Sequence, residues 1–235
     1  MRLYKLNKTV FSLKNNPSGF LGGLSANTTE QPRNAFVNVH GRIVATFDQY
    51  RVSDDEFVIV LERAFVNPLM THLERYIRLS GVRVAKLDRY VYFDLEGGDE
   101  PLPAGCLVIA QNKGRLLIAE KALQADVAEE EFTLFRLQNN IPVQGVDYTD
   151  EFLLNVSDDE FVSYAKGCFL GQEPISKVHN RSKPTWKLIV RYQDECSEEE
   201  RQKMTSIVVD PATRRPRGFV FVRCSQRTTN NESRG

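Results

Sequence analysis

The chain has 235 residues, with 31 basic and 31 acidic side chains, an apolar fraction of 41% and a charged fraction of 26%. These proportions belong to a globular chain of one large or two small domains, and they exclude disorder, collagen and coiled coil as global descriptions. Zero net charge argues against a dedicated nucleic-acid binder, which carries a basic excess.

The four cysteines, Cys106, Cys168, Cys196 and Cys224, are scattered and form no C-x-x-C pair. That argues against a zinc ribbon or a dithiol redox motif and fits a reducing compartment, so the expected location is the cytoplasm. Met1 to Lys14 alternates apolar and basic residues and lacks the apolar core of a signal peptide. The longest apolar runs, such as Phe57–Leu61, are too short to cross a bilayer.

In chain order, Ala35–Val39, Ile43–Val52 and Phe57–Leu61 read as strands, separated by turns at His40-Gly41 and at Ser53 to Glu56. Asn67 as N-cap and Pro68 at the first helical position predict a helix carrying Leu69, Leu73, Tyr76, Ile77 and Leu79, ended by Gly81. Val82–Leu87 and Tyr90–Leu95 return to strand. A loop over Gly97–Gly105 follows, then a strand pair at Cys106–Ala110 and Arg115–Ala119. Asp126 with Glu129 forms a capping box before a helix reaching Gln138, and Ser157 with Glu160 repeats that signature before a second short helix. Trp186–Tyr192 reads as a strand, Asp194–Gln202 as an exposed turn or short helix, and Ile207–Val209 with Gly218–Val222 as a closing hairpin. The tail from Ser225 is polar and reads as disordered. Strands and helices mix without a βαβ rhythm, which predicts an α+β fold with antiparallel sheets. No dinucleotide or Walker phosphate loop is present.

The segment with the most chemistry is Lys166-Gly167-Cys168-Phe169-Leu170-Gly171-Gln172-Glu173. Lys166 is placed to favour the Cys168 thiolate. Gly171 can open a short helix whose free N–H groups suit an anion. The bland alternative is a loop with a half-buried cysteine and a solvated lysine.

Residues 166–173 resemble the K-G-C-[FY]-x-G-Q-E signature of YgfZ-type folate-binding proteins, relatives of the aminomethyltransferase (T-protein) of the glycine cleavage system. Phe20 to Thr28, Asn38 to Ile43, Phe135 to Pro142 and Thr205 to Val222 resemble further segments of that family, in the same order. The resemblance implies an aminomethyltransferase-like α+β body over residues 1–182 with a central channel for tetrahydrofolate, and a reduced C-terminal β segment over 183–235. It also implies Cys168 and Lys166 as the functional pair, and Asn27, Arg136, Gln138, Gly171, Gln172, Glu173 and Lys177 as folate-binding residues. The implied role is support of iron–sulfur cluster assembly or repair, with iron–sulfur enzymes or assembly proteins as clients, and through them tRNA modification.

The chain departs from the family at several positions. Ala45 and Thr46 stand where the aminomethyltransferase carries its catalytic aspartate, and Asp48 lies two residues on. Gln138 replaces a glutamate and keeps only an amide for a pterin. Lys177 replaces an arginine and loses bidentate geometry. Two other readings stand beside the first: a folate-dependent one-carbon transferase, and an interaction module that has lost its ligand.

Lys177, Arg181, Lys183, Lys187 and Arg191 form a basic stretch with His179 and Trp186 interleaved, suited to RNA, to the glutamate tail of a folate, or to solvent alone. His40, His72 and His179 are far apart in sequence, and no spaced ligand set suggests a metal site or a resident iron–sulfur cluster. Tyr148, Phe152 and Phe169 serve equally as pterin-stacking groups or as core.

Overall fold

The computed structural model describes residues 1–98, 101–157 and 159–224. Two antiparallel sheets stack face to face. One has five strands, β2 (Lys8–Lys14), β3 (Arg33–Val37), β4 (Ile43–Ser53), β5 (Glu56–Glu62) and β6 (Arg83–Leu87), in the order β3-β4-β5-β2-β6. The other has four, β1 (Leu3–Leu6), β7 (Tyr90–Asp94), β8 (Leu107–Ala110) and β9 (Arg115–Ala119), in the order β1-β7-β9-β8. The chain changes sheets at Asn7, because Leu3 to Leu6 pair with β7 whereas Lys8 to Lys14 pair with β5.

The five-stranded sheet is covered on both faces. Val10, Val58 and Val60 meet Val91, Ile109, Leu116 and Ile118 of the second sheet. Phe11, Phe36, Ala45, Phe47, Phe57, Ile59 and Leu61 on the reverse face meet two helices, α1 (Pro17–Leu24) and α2 (Val66–Ser80). Burial on both sides is why Phe57–Leu61 reads as an unbroken apolar run rather than an alternation. Helix α3 (Glu129–Gln138) closes one end of the sandwich, its Phe132 stacked on Tyr4 with centroids 4.2 Å apart.

A third sheet, β10 (Trp186–Tyr192), β11 (Thr205–Val209) and β12 (Pro216–Arg223), has the order β10-β12-β11. Its Leu188, Val208 and Phe219 join one core cluster with Ala35, Ile43 and the one-turn helix α4 (Leu153–Val156). Helix α5 (Gln172–Arg181) buries Ile175 in that cluster, and α6 (Glu198–Gln202) carries a full capping box from Ser197 and Glu200.

Several local expectations are corrected. The helix expected from Pro68 starts at Val66 after a 3-10 turn over Arg63–Phe65, and Asn67 does not cap it. Gly81 does end it, at φ 70°. The Asp126–Glu129 box does not form: the Asp126 carboxylate accepts from the Leu3 N–H at 2.7 Å, and α3 starts after Ala128. Tertiary pairing of the N-terminal strand wins over the cap. Ser157 accepts from the Glu160 N–H at 3.2 Å, but no helix follows there among the described residues, since the Glu160 carboxylate turns to Arg33. Strands β1 and β2 and helix α1 were not read from the sequence. Part of the 97–105 loop and the tail from Ser225 lie outside the described residues.

Gly171 fixes how α5 meets the sheet. It holds φ 81°, and a Cβ there would lie 2.2 Å from the Asn38 carbonyl oxygen. Left-handed strain and overpacking then add. Gly171→Ala is expected to lower stability by about 2 to 4 kcal/mol in urea unfolding; an unchanged midpoint would mean that α5 does not depend on this approach.

Candidate functional site

Strand alternation places the charged residues. On β4, Ala45 and Phe47 point to the helices, so Thr46 and Asp48 face the second sheet. Lys8 shares that face with Val10 on β2, and Glu62 with Val60 and Val58 on β5. At one end of the sandwich the apolar filling therefore gives way to a cavity. Lys8, Arg33, Thr46, Asp48, Glu62, Gln111, Gln144 and Tyr148 supply its polar walls. Phe93, Leu116, Phe132 and Pro142 supply its apolar ones.

The polar wall is a closed ionic network. Lys8 Nζ lies 3.1 Å from Asp48 Oδ2 and 3.2 Å from Glu62 Oε1. Burial pushes the Lys8 amine down, but the two carboxylates more than reverse this and hold it above its ordinary range, so it stays a cation. Arg33 Nη1 donates to Glu160 Oε2 at 2.6 Å, while its Nε lies 3.8 Å from Asp48 Oδ1. Gln111 Nε2 donates to the same Asp48 oxygen at 3.2 Å. Beside them, Gln144 Oε1 accepts from the Thr46 N–H at 2.8 Å, and Thr46 Oγ1 lies 2.8 Å from the Tyr148 hydroxyl. Burial pushes the Tyr148 phenol up, so it stays protonated.

Arg136 reaches the cavity from α3 and is itself buried. Its Nη1 donates to Asp147 Oδ2 at 2.7 Å and its Nη2 to Ser206 Oγ at 2.8 Å. Asp147 also accepts from the Thr205 and Ser206 hydroxyls at 2.8 and 2.5 Å. Ser206 holds a left-handed φ of 53° at the irregularity in β11, which aims its hydroxyl into this cluster.

The cavity is small. It leaves about 60 Å³ for the centres of water molecules, space for about four waters. Arg33 and Gln111 also line an outer cleft of about 180 Å³ formed with Gln31, Pro32, Asn112, Asp159 and Glu160. Two side chains thus stand between the inner cavity and the open cleft.

The residues expected at the site fall into three places. Arg136 lines the cavity. Asn27 is buried outside it as a clip: Nδ2 donates to the Arg33 and Glu160 carbonyls at 2.9 Å each. Gln138 is exposed at the C-terminal end of α3 and is not among the cavity-lining residues. Cys168 is exposed, and Lys166 does not bond to it. The Lys166 ammonium instead donates to the Ser25 and Asn27 carbonyls at 2.6 and 2.8 Å, and burial brings its amine down to about 8. Gly171 is the N-cap of α5, with Gln172 and Glu173 in its first turn and Lys177 exposed further along.

The 166–173 segment nonetheless touches the site indirectly. Lys166 fixes the 25–27 backbone, Asn27 fixes the Arg33 and Glu160 carbonyls, and the Glu160 side chain holds Arg33, one of the two residues of the partition. Sequence reasoning missed Lys8, Arg33, Glu62, Gln111, Gln144 and Asp147. The available signal was period-2 alternation, which puts Asp48 on the Thr46 face and Lys8 on the Val10 face. Of the remaining cysteines, Cys196 is buried while Cys106 and Cys224 are half-buried. Among the described residues no cluster of three or more His, Cys, Asp or Glu side chains could hold a metal, and no helix is long and apolar enough to cross a membrane.

No family model and no curated protein matches this chain. Among solved structures it is similar to the glycine cleavage system aminomethyltransferase T from Bartonella henselae, with a TM-score of 0.70 and 14% identity over 94% of this chain and 78% of that one. The fold is aminomethyltransferase-like.

The network predicts a strong response to loss of its central cation. Lys8→Met leaves buried Asp48 and half-buried Glu62 without their shared cation and is expected to cost about 2 to 4 kcal/mol in urea unfolding. The triple change Lys8→Met, Asp48→Asn, Glu62→Gln is expected to recover most of that loss. A single variant as stable as the parent would show that Lys8 is not the neutralising group.

Proposed function

We propose that the chain is a tetrahydrofolate-binding protein whose pterin site is the cavity around Asp48. The observation that carries this is the pair of carboxylates, buried Asp48 and half-buried Glu62, beside aromatic walls from Phe93, Phe132 and Tyr148, in an aminomethyltransferase-like fold. A pterin presents adjacent N–H donors on its 2-amino-4-oxo edge and a flat apolar face. Carboxylate acceptors and aromatic walls match both.

The donor and acceptor set fits a pterin, but the space does not without movement. Small-molecule pockets run from about 300 to 1,000 Å³, so Lys8 and the Arg33–Gln111 partition must shift to admit the bicycle. Rotamer changes of this kind are common on binding.

A second reading, a folate-dependent one-carbon transferase, is favoured by one specific observation: Asp48 faces the cavity beside Thr46 rather than the far side of the sheet. A carboxylate is thus present two residues beyond the family position. It lies 3.1 Å from the Lys8 ammonium, and a carboxylate in such a place is the kind of group that accepts a proton in catalysis.

The accessory role in iron–sulfur assembly or repair rests on the K-G-C-F-L-G-Q-E segment and on the exposure of Cys168. Its clients are iron–sulfur enzymes or assembly proteins, in the cytoplasm. RNA contact through the exposed bases of α5 is a lesser part of the same proposal.

Isothermal titration with tetrahydrofolate is expected to give saturable one-to-one binding, weakened about ten-fold or more by Asp48→Asn. No heat with the parent protein would remove the folate assignment. For the thiol, Cys168→Ala is expected to abolish rescue of an iron–sulfur enzyme in cells lacking this protein, and full rescue would remove Cys168 from the role.

A further inference from the structure

We propose that this site, taken as the pterin site above, discriminates among reduced pterins by the charge of their tail, and that affinity falls as glutamates are added. The argument is a charge balance around the two connected spaces. Lys8, Arg33 and Arg136 are the cations that line them. Asp48, Glu62, Asp159 and Glu160 are the carboxylates that line them, and Asp147 sits directly behind Arg136.

Every one of those cations is already engaged by a carboxylate. Lys8 lies between Asp48 and Glu62, Arg33 on Glu160, and Arg136 on Asp147. The outer cleft adds Asp159, which is exposed and accepts from the Ser157 hydroxyl at 3.2 Å. An anionic tail leaving by the Arg33–Gln111 partition therefore meets Asp159 and Glu160, and the cation in the cleft lining, Arg33, is held by Glu160; exposed Lys113 follows Asn112 but does not line the cleft.

The opposite flank has the same sign. Glu129, Glu130 and Glu131 occupy the first turn of α3, next to the cavity wall formed by Phe132, and Arg2 pairs with Glu131, which leaves Glu129 and Glu130 as the exposed acids. Burial raises the Tyr4 phenol there, with Glu129 raising it further and Arg136 opposing. The exposed cations Lys177, Arg181 and Lys183 belong to α5 and the segment after it, and none of them lines either space. A neutral pterin head suits the interior, and a chain of added carboxylates does not suit the way out through the partition.

Each γ-linked glutamate adds one negative charge. Like charges about 10 Å apart near water repel enough to change affinity by about two-fold each, and salt screens the effect. The test is titration calorimetry with tetrahydropterin lacking a tail, with tetrahydrofolate, and with its pentaglutamate, at low and high salt. The expected order at low salt is weakest binding for the pentaglutamate, by about three-fold or more relative to tetrahydrofolate, with the gap closing in high salt. Asp159→Asn with Glu160→Gln, which frees Arg33, is expected to remove or reverse that order. Equal or tighter binding of the pentaglutamate would overturn this proposal and leave the folate assignment standing. Failure of all three ligands to bind would overturn the folate assignment, and this proposal with it.

Discussion

The structure turns on the pairing of Lys8 with Asp48 and Glu62 between two stacked sheets. Taking charges out of water is expensive, and a buried carboxylate without a partner is more so. Here one ammonium neutralises two carboxylates, Arg33 and Gln111 cover the remaining Asp48 oxygen, and Glu160 holds Arg33 in place. Removing one member exposes the others to the same penalty. The network therefore explains why the apolar sandwich ends where it does, and why the space at its end is polar yet nearly filled.

The rest of the fold serves that end of the sandwich. The switch of sheets at Asn7 brings Leu6 and Lys8 to the same cavity from different sheets. Helix α3 caps the opening with Phe132 and Arg136, and the third sheet reaches in through Thr205 and Ser206 to hold Asp147. The K-G-C-F-L-G-Q-E segment lies outside, tied to the partition through Lys166 and Asn27. That path joins an exposed thiol loop to a buried cavity by backbone contacts rather than by direct contact.

Many of the strand positions and local strand pairs were legible, because alternation and turn residues are local. Gly81 ends its helix, and His40-Gly41 turns the chain between β3 and β4. What stayed hidden depends on distant partners. Asp126 looks like a helix cap until the Leu3 N–H takes its carboxylate. The N-terminal strands were masked by their lysines, yet Lys8 is inward because Asp48 and Glu62 await it 40 and 54 residues on. Arg136, expected from the family resemblance, lines the cavity, whereas Gln138 faces solvent, since the last turn of α3 rotates it away from Phe132 and Arg136. Ser206 could not be found at all: its role depends on a left-handed kink at a strand irregularity.

The central claim is that the cavity around Asp48 receives a pterin by yielding Lys8 and the Arg33–Gln111 partition. A crystal structure grown with tetrahydrofolate tests it most directly. The account predicts the 2-amino-4-oxo edge against Asp48 or Glu62, the ring between Phe93, Phe132 and Tyr148, and Lys8 displaced from its present position. An ordered folate bound elsewhere, with the Lys8–Asp48–Glu62 contacts unchanged, would contradict it.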